Sequence, residues 1–99
     1  MAKKLKSVFT DDMEHCIYTG LAPVERHHIF GGYSSKCRKY SEEDGFVVPL
    51  SPTLHPNGAQ AGKDAKNIDI ALKKMAQTYY ENHYGTREQF IKRYGKSYL

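Results

Sequence analysis

Three of the five histidines in this chain stand where imidazole side chains could act together. His27 and His28 are adjacent at the end of one predicted strand, and His55 follows a second predicted strand. Because neighbouring strand residues point to opposite faces, we do not expect His27 and His28 to share one role. An imidazole can ligate a metal ion or act as a base near neutral pH. The pattern therefore favours one histidine holding a metal while its neighbour removes a proton.

The same histidines also have a purely structural interpretation. Imidazoles at strand ends are commonly half-buried side chains whose nitrogens are satisfied by hydrogen bonds. Spacing alone is compatible with both interpretations, and both stay open at this point.

The cysteine content narrows the possible metal sites. Cys16 and Cys37 are the only cysteines, and no pair of cysteines is separated by two residues. A zinc site of four cysteines is therefore excluded. In a reducing cytosol, we expect these two distant thiols to be free.

Two short strands are predicted to carry or precede the histidines. The first covers residues 24–29 and is broken by Gly31-Gly32. The second covers residues 46–50, a β-branched run in which Pro49 favours a sheet edge or a strand end. Between them, a stretch rich in Ser, Lys, Arg and Glu is predicted to be a loop that ends in a turn at Asp44-Gly45.

A helix is predicted over residues 68–79, because apolar side chains recur there at the spacing of one helical face. They are Ile68, Ala71, Leu72, Met75, Ala76 and Tyr79. Asp64 or Asn67 is expected to cap the start, and Gly85 to adopt the left-handed conformation after the end. This stripe is expected to be core rather than a cofactor site.

A second, shorter helix is predicted from a capping box. Thr86 is followed three residues later by Gln89, the pattern in which each residue satisfies a backbone N–H of the other. The helix is expected to stop at Gly95. Its core residues are expected to be Phe90, Ile91 and Tyr94.

Length and composition limit the class of protein. Ninety-nine residues suffice for one domain, which we predict over residues 13–99 behind a basic, flexible arm at residues 1–12. No apolar run is long enough to cross a bilayer, and no apolar signal core follows the charged N-terminus. We therefore expect a cytoplasmic protein that does not bind membranes.

A basic cluster at Lys36, Arg38 and Lys39 is a candidate contact for nucleic acid. The formal net charge of +4 is compatible with a polyanionic partner. Tyr33 and Tyr40 flank the cluster, an arrangement that suits contacts to a sugar-phosphate backbone. The alternative is a solvated charged face without a partner.

An ordered series of short motifs carries a resemblance to a known family. The series is His-His-Ile-Phe-Gly-Gly at 27–32, Arg38-Lys39, Ser41-Glu42, Gly-Phe-Val-Val-Pro-Leu at 45–50, and His55. Together these residues resemble the HNH nucleases, and more narrowly the phage and prophage branch related to the recombination-enhancement nuclease. The similarity runs from about Cys16 to the C-terminus.

The resemblance implies a fold, an activity and a role for each histidine. The fold would be α+β, a small ββα-metal core with a two-stranded hairpin and two C-terminal helices. His27 and His55 match the positions of the metal ligands, and His28 matches the general base. The protein would hydrolyse or nick DNA in a bacterial host cell, using one divalent ion that could be Mg, Mn, Zn or Ni.

The chain departs from the family pattern in three places. Many relatives have a structural zinc knuckle whose four ligands correspond here to Cys16, Thr19, Ser51 and Leu54, so no structural zinc is expected. Lys63 stands where many relatives of this branch place a further histidine, and Asp64 is an alternative oxygen ligand beside it. The middle Asn of the family, which orients the base, has no evident counterpart near residue 46.

Three hypotheses follow from these residues. The first is an active HNH endonuclease. The second is a catalytically weakened HNH-fold module that binds DNA in phage recombination or packaging without cutting it. The third is a structural α/β protein, which leaves His27, His28 and His55 without a common purpose.

Overall fold

Two strands and three helices form the fold of the computed structural model, which describes residues 7–31, 35–56 and 58–99. Their order is β1 (Glu25–His28), α1 (Ser35–Asp44), β2 (Val47–Leu50), α2 (Ala65–His83) and α3 (Arg87–Tyr94). The protein is therefore a small α+β protein, as predicted, with one more helix than expected. Within the described ranges, no helix is both long and apolar enough to cross a membrane.

β1 and β2 pair as a two-stranded antiparallel sheet. Both predicted strands are confirmed, and each is slightly shorter than expected. The register places His27 opposite Val48 and Arg26 opposite Pro49. Both strands of a two-stranded sheet are edges, so the missing N–H of Pro49 is tolerated there, as its position predicted.

The segment between the strands is not the loop that we predicted but helix α1. Its polar sequence has no apolar stripe, because the residues it buries are Cys37 and Ser41. The hydroxyl of Ser41 is fully buried and accepts the backbone N–H of Phe30 at 3.0 Å. A polar contact therefore anchors this helix, and the sequence lacks the periodic hydrophobic residues from which a helix is normally predicted.

The predicted turn at Asp44-Gly45 is the C-terminal cap of α1. Gly45 has a φ of 78°, and its N–H donates to the carbonyl of Glu42 at 3.4 Å. The next N–H, of Phe46, donates to the carbonyl of Ser41 at 2.7 Å. This pair of bonds is a Schellman motif, and it directs the chain from α1 straight into β2.

The buried face of α2 is rotated from the predicted stripe. Leu72 and Ala76 are fully buried as expected, but Met75 is 37% exposed and Ala71 is also exposed, so their assignment to the core is wrong. The other buried residues of the helix are Ala65, Gln77 and Tyr80. Gln77 belongs to this face because its amide donates to Glu81 and Ser97 and accepts the N–H of Tyr98.

The predicted caps of α2 are confirmed only in part. Asp64 is the N-cap residue, but its side chain makes no cap hydrogen bond. The described glycines with positive φ are Gly20, Gly45 and Gly95, so the left-handed conformation predicted at Gly85 is wrong. Gly85 instead provides space, because a Cβ there would lie 2.3 Å from the side-chain oxygen of Gln89.

That oxygen of Gln89 completes the capping box of α3. It accepts the N–H of Thr86 at 2.8 Å, and the Thr86 hydroxyl accepts the N–H of Gln89 at 3.1 Å. The helix ends before Gly95, as predicted. Phe90 and Tyr94 are buried, as predicted. Ile91 is 37% exposed, so the prediction that it belongs to the core is wrong.

The core combines aliphatic side chains with a cluster of aromatic rings. The ring of Phe30 lies 4.3 Å from that of Tyr94 and 5.4 Å from that of Phe90. Of the predicted arm at residues 1–12, residues 1–6 lie outside the described part of the chain. Residues 8 and 9 pack against this core, and Phe9 stacks on Phe46 at 6.0 Å.

Candidate active site

The three predicted histidines line one cavity of about 260 Å³ at the end of the sheet. Its walls are Arg26, His27, His28, Gly31, Arg38, His55 and Pro56. The strand β1 supplies the adjacent pair, and the segment after β2 supplies His55. The histidine pair and His55, which are far apart in the sequence, therefore lie around the same cavity.

The alternation of β1 separates the two neighbouring imidazoles. His27 lies against His55, with ring centroids 5.0 Å apart and an interplanar angle of 70°. His28 contacts Glu42 of α1 instead. Adjacent strand residues point to opposite faces, so the two histidines have different neighbours.

His27 is a buried imidazole with an unsatisfied nitrogen. Its side chain is 94% hidden, and its Nε2 has no hydrogen-bond partner among the described residues. Burial lowers the pKa of His27 to about 3, and the charges of His55, His28 and Lys73 add to this effect. A buried polar atom without a partner costs about 1–3 kcal/mol, a cost that a bound cation at this nitrogen would remove.

His55 is oriented by a carboxylate that the sequence analysis did not identify. Oε1 of Glu25 lies 2.5 Å from Nδ1 of His55. Because a carboxylate only accepts hydrogen bonds, Nδ1 carries a proton, and in the neutral form of the ring Nε2 is the nitrogen with the lone pair. Metal-binding histidines characteristically donate their second N–H in this way. Glu25 precedes His27 by two residues on the strand, which was the available signal that both share one face.

These residues fit a site with two protein ligands. Among the described residues, no group of three or more His, Cys, Asp or Glu side chains could hold a metal ion. His27 and His55 offer two imidazoles, and water or substrate oxygens would complete the coordination of a divalent ion. Lys63 and Asp64 are exposed and do not line the cavity. The lysine whose charge helps to lower the pKa of His27 is Lys73 of α2.

His28 has the environment of a neutral base. Its side chain is 14% exposed, and its Nε2 lies 3.2 Å from Oε1 of Glu42. Burial lowers the pKa of His28, the bond to Glu42 partly opposes this, and Arg38 and Arg26 act with burial. At neutral pH the imidazole is therefore uncharged and able to accept a proton.

No protein-family model, curated protein or solved structure matches this chain.

The basic cluster predicted to contact nucleic acid lies on α1. Lys36, Arg38 and Lys39 are all exposed, and within the described ranges none of them forms an ion pair. Arg38 also lines the cavity, whereas the two lysines lie outside it. Arg38 can therefore reach a group in the cavity, and the lysines extend the positive charge along the helix.

Three of the four positions that correspond to the zinc knuckle lie together. The hydroxyls of Thr19 and Ser51 are 2.9 Å apart. Burial raises the pKa of Cys16, but hydrogen bonds from Ser51 and Thr19 outweigh it and lower this pKa to about 6. Cys16 and Cys37 do not form a disulfide with each other, as predicted. The absence of structural zinc stays a prediction.

Proposed function

We propose that this protein is an HNH-type, metal-dependent endonuclease that hydrolyses or nicks DNA. The observation that carries the proposal is the convergence of His27, His28 and His55 on one cavity, with two of them paired and the third apart. The purely structural interpretation does not account for a buried, unpartnered nitrogen on His27 beside a second imidazole.

The finer fold belongs to the same proposal. In it, β1 and β2 form the two strands of a ββα-metal core, and α2 is the helix that follows them. His55 stands between β2 and α2, where this core carries its second ligand. The contact between the hydroxyls of Thr19 and Ser51 adds support, because many HNH nucleases hold zinc at the positions that these residues match in the resemblance.

The residues divide the reaction between them. His27 and His55 would hold one divalent ion, which would supply Lewis-acid stabilisation of negative charge at the scissile phosphate. His28 removes a proton from the attacking water. Arg38, at the cavity wall, contacts a phosphate oxygen of the bound strand, and Lys36 and Lys39 contact the flanking backbone.

The second candidate function is a DNA-binding module that does not cut. The observation that favours it is the lack of a third protein ligand among the described residues. A site with two imidazoles binds divalent ions weakly, and a chain that lost its metal would keep the basic face of α1.

Nicking of supercoiled plasmid separates the two candidates. The full chain is incubated with plasmid and with Mg²⁺, Mn²⁺, Ni²⁺ or Zn²⁺ in turn, and EDTA is the control. Nicking with at least one ion and none with EDTA is expected. DNA binding without nicking under any ion would favour the binding module, and neither binding nor nicking would overturn both.

A further inference from the structure

Glu42 of α1 lies between two side chains of β1. Its Oε1 accepts a hydrogen bond from Nε of Arg26 at 3.3 Å, and its Oε2 accepts one from the same guanidinium. The same Oε1 lies 3.2 Å from Nε2 of His28. Arg26 and His28 are two residues apart on the strand and therefore share the face that meets α1.

This arrangement decides which nitrogen of His28 carries the proton. A neutral imidazole has one N–H and one lone pair, and an ionised carboxylate can only accept a hydrogen bond. The contact with Glu42 therefore places the proton on Nε2 and leaves Nδ1 as the basic nitrogen. The side chains of Arg26 and Glu42 are only 21% and 26% exposed, so the carboxylate is held against both partners.

We infer that Glu42 is the positioning residue of His28, and that Arg26 fixes Glu42 in turn. This inference rests on the proposed nuclease function, because it gives the base its orienting partner. The family that the chain resembles orients its base with an Asn, which has no counterpart near residue 46, and in this structure a glutamate of helix α1 contacts the base instead. A carboxylate in this place also stabilises the imidazolium that forms when the base is protonated.

The proposed hydrolysis begins with a proton transfer to His28. One proton of water passes to Nδ1 of His28, and the remaining hydroxide oxygen forms a bond to phosphorus. The bond between phosphorus and the leaving oxygen breaks, and that oxygen takes a proton from solvent. His28 then returns its proton to solvent, and Glu42 stays ionised throughout.

The tautomer of His28 tests the inference directly. Nitrogen-15 NMR of the metal-free chain at one alkaline pH, where the imidazole is neutral, distinguishes a protonated Nε2 from a protonated Nδ1. Wild type and Glu42→Gln should show the proton on Nε2, because an amide oxygen also accepts a hydrogen bond. Glu42→Ala should show a mixture of tautomers, and Glu43→Ala, on the same helix, should match wild type.

Activity provides the second readout. Glu42→Ala should lower kcat on the order of 10- to 100-fold with little change in KM, since the positioning of a group changes and not the binding of DNA. Glu42→Gln, which keeps the tautomer but loses the charge, should fall between Glu42→Ala and wild type.

The two readouts separate this inference from the proposed function. A wild type that cuts DNA, with a His28 tautomer that is the same in Glu42→Ala, overturns the inference alone. A wild type that never cuts, with a tautomer that depends on Glu42, overturns the nuclease function and leaves the contact as a structural one.

Discussion

The imidazole of His27 lies 5.0 Å, centroid to centroid, from that of His55, although one belongs to β1 and the other follows β2. Each ring has a feature typical of a metal ligand. His27 has a buried Nε2 without a partner among the described residues, and His55 has its Nδ1 bonded to Glu25. In the proposed function, this pair of imidazoles holds the divalent cation.

The buried state of His27 predicts a loss of stability in acid. Its pKa of about 3 in the folded protein lies below the ordinary value of 6.5, so the unfolded chain binds more protons between these values. The contribution of neutral His27 to the free energy of unfolding is therefore fully present above pH 6.5 and is lost as the pH falls towards 3. We expect His27 to contribute a loss of about 3 kcal/mol between pH 7 and pH 4.

Urea unfolding of the metal-free protein at several pH values measures this loss. His27→Phe should flatten the dependence on pH, whereas Ile70→Ala, which changes no titratable group, should leave it unchanged. An equal slope in wild type and His27→Phe would show that His27 is not held neutral by the fold.

Glu25 should tune the affinity for metal without contacting the ion. Removing the carboxylate frees the ring of His55 to rotate and to change its tautomer, so Glu25→Ala should weaken binding of Mn²⁺ about 10- to 100-fold. Glu25→Gln keeps an acceptor and should lose less. Calorimetric titration measures both, with Glu14→Ala as an exposed control; affinities equal to wild type in both variants would refute the role of Glu25.

Binding of DNA should be tolerant of sequence and sensitive to salt. Arg38 and Lys39 are exposed and without ion pairs among the described residues, which suits contacts to phosphates. Changing both to Ala should reduce the slope of log affinity against log salt by about 2. The control changes Lys66 and Lys74 of α2, which are also exposed, and should keep the slope; a reduction in both pairs alike would remove the special role of α1.

The packing of α2 should provide much of the stability. Leu72 is fully buried, so Leu72→Ala should reduce the free energy of unfolding by about 2–5 kcal/mol. Ile70 lies two residues away on the same helix and is 43% exposed, so Ile70→Ala should cost much less. Chemical denaturation compares the two, and similar losses would mean that the orientation of the helix is wrong.

Local patterns were enough to predict most of the elements. The β-branched run at 46–50 predicted β2, and Thr86 with Gln89 predicted the capping box of α3. The histidines and Arg38 were identified from motifs, and they lie around one cavity.

Contacts over a long range could not be predicted in this way. Helix α1 was missed because a buried hydroxyl, that of Ser41, anchors it in place of apolar side chains. The contact between Glu42 and His28 depends on that helix, so it was missed too. At Gly85, the sequence shows a glycine after a helix, but it does not show the nearby side-chain oxygen of Gln89 that a Cβ there would displace.

The nicking rate of His28→Ala at saturating metal distinguishes the role of His28 as the base from the role of His27 as a metal ligand. We expect a loss on the order of 100- to 10,000-fold that excess Mn²⁺ does not restore, while metal and DNA binding persist. His27→Ala should instead recover in part with excess Mn²⁺, and His83→Ala, at an exposed histidine, should match wild type. A His28→Ala protein that nicks plasmid as fast as wild type would contradict the account.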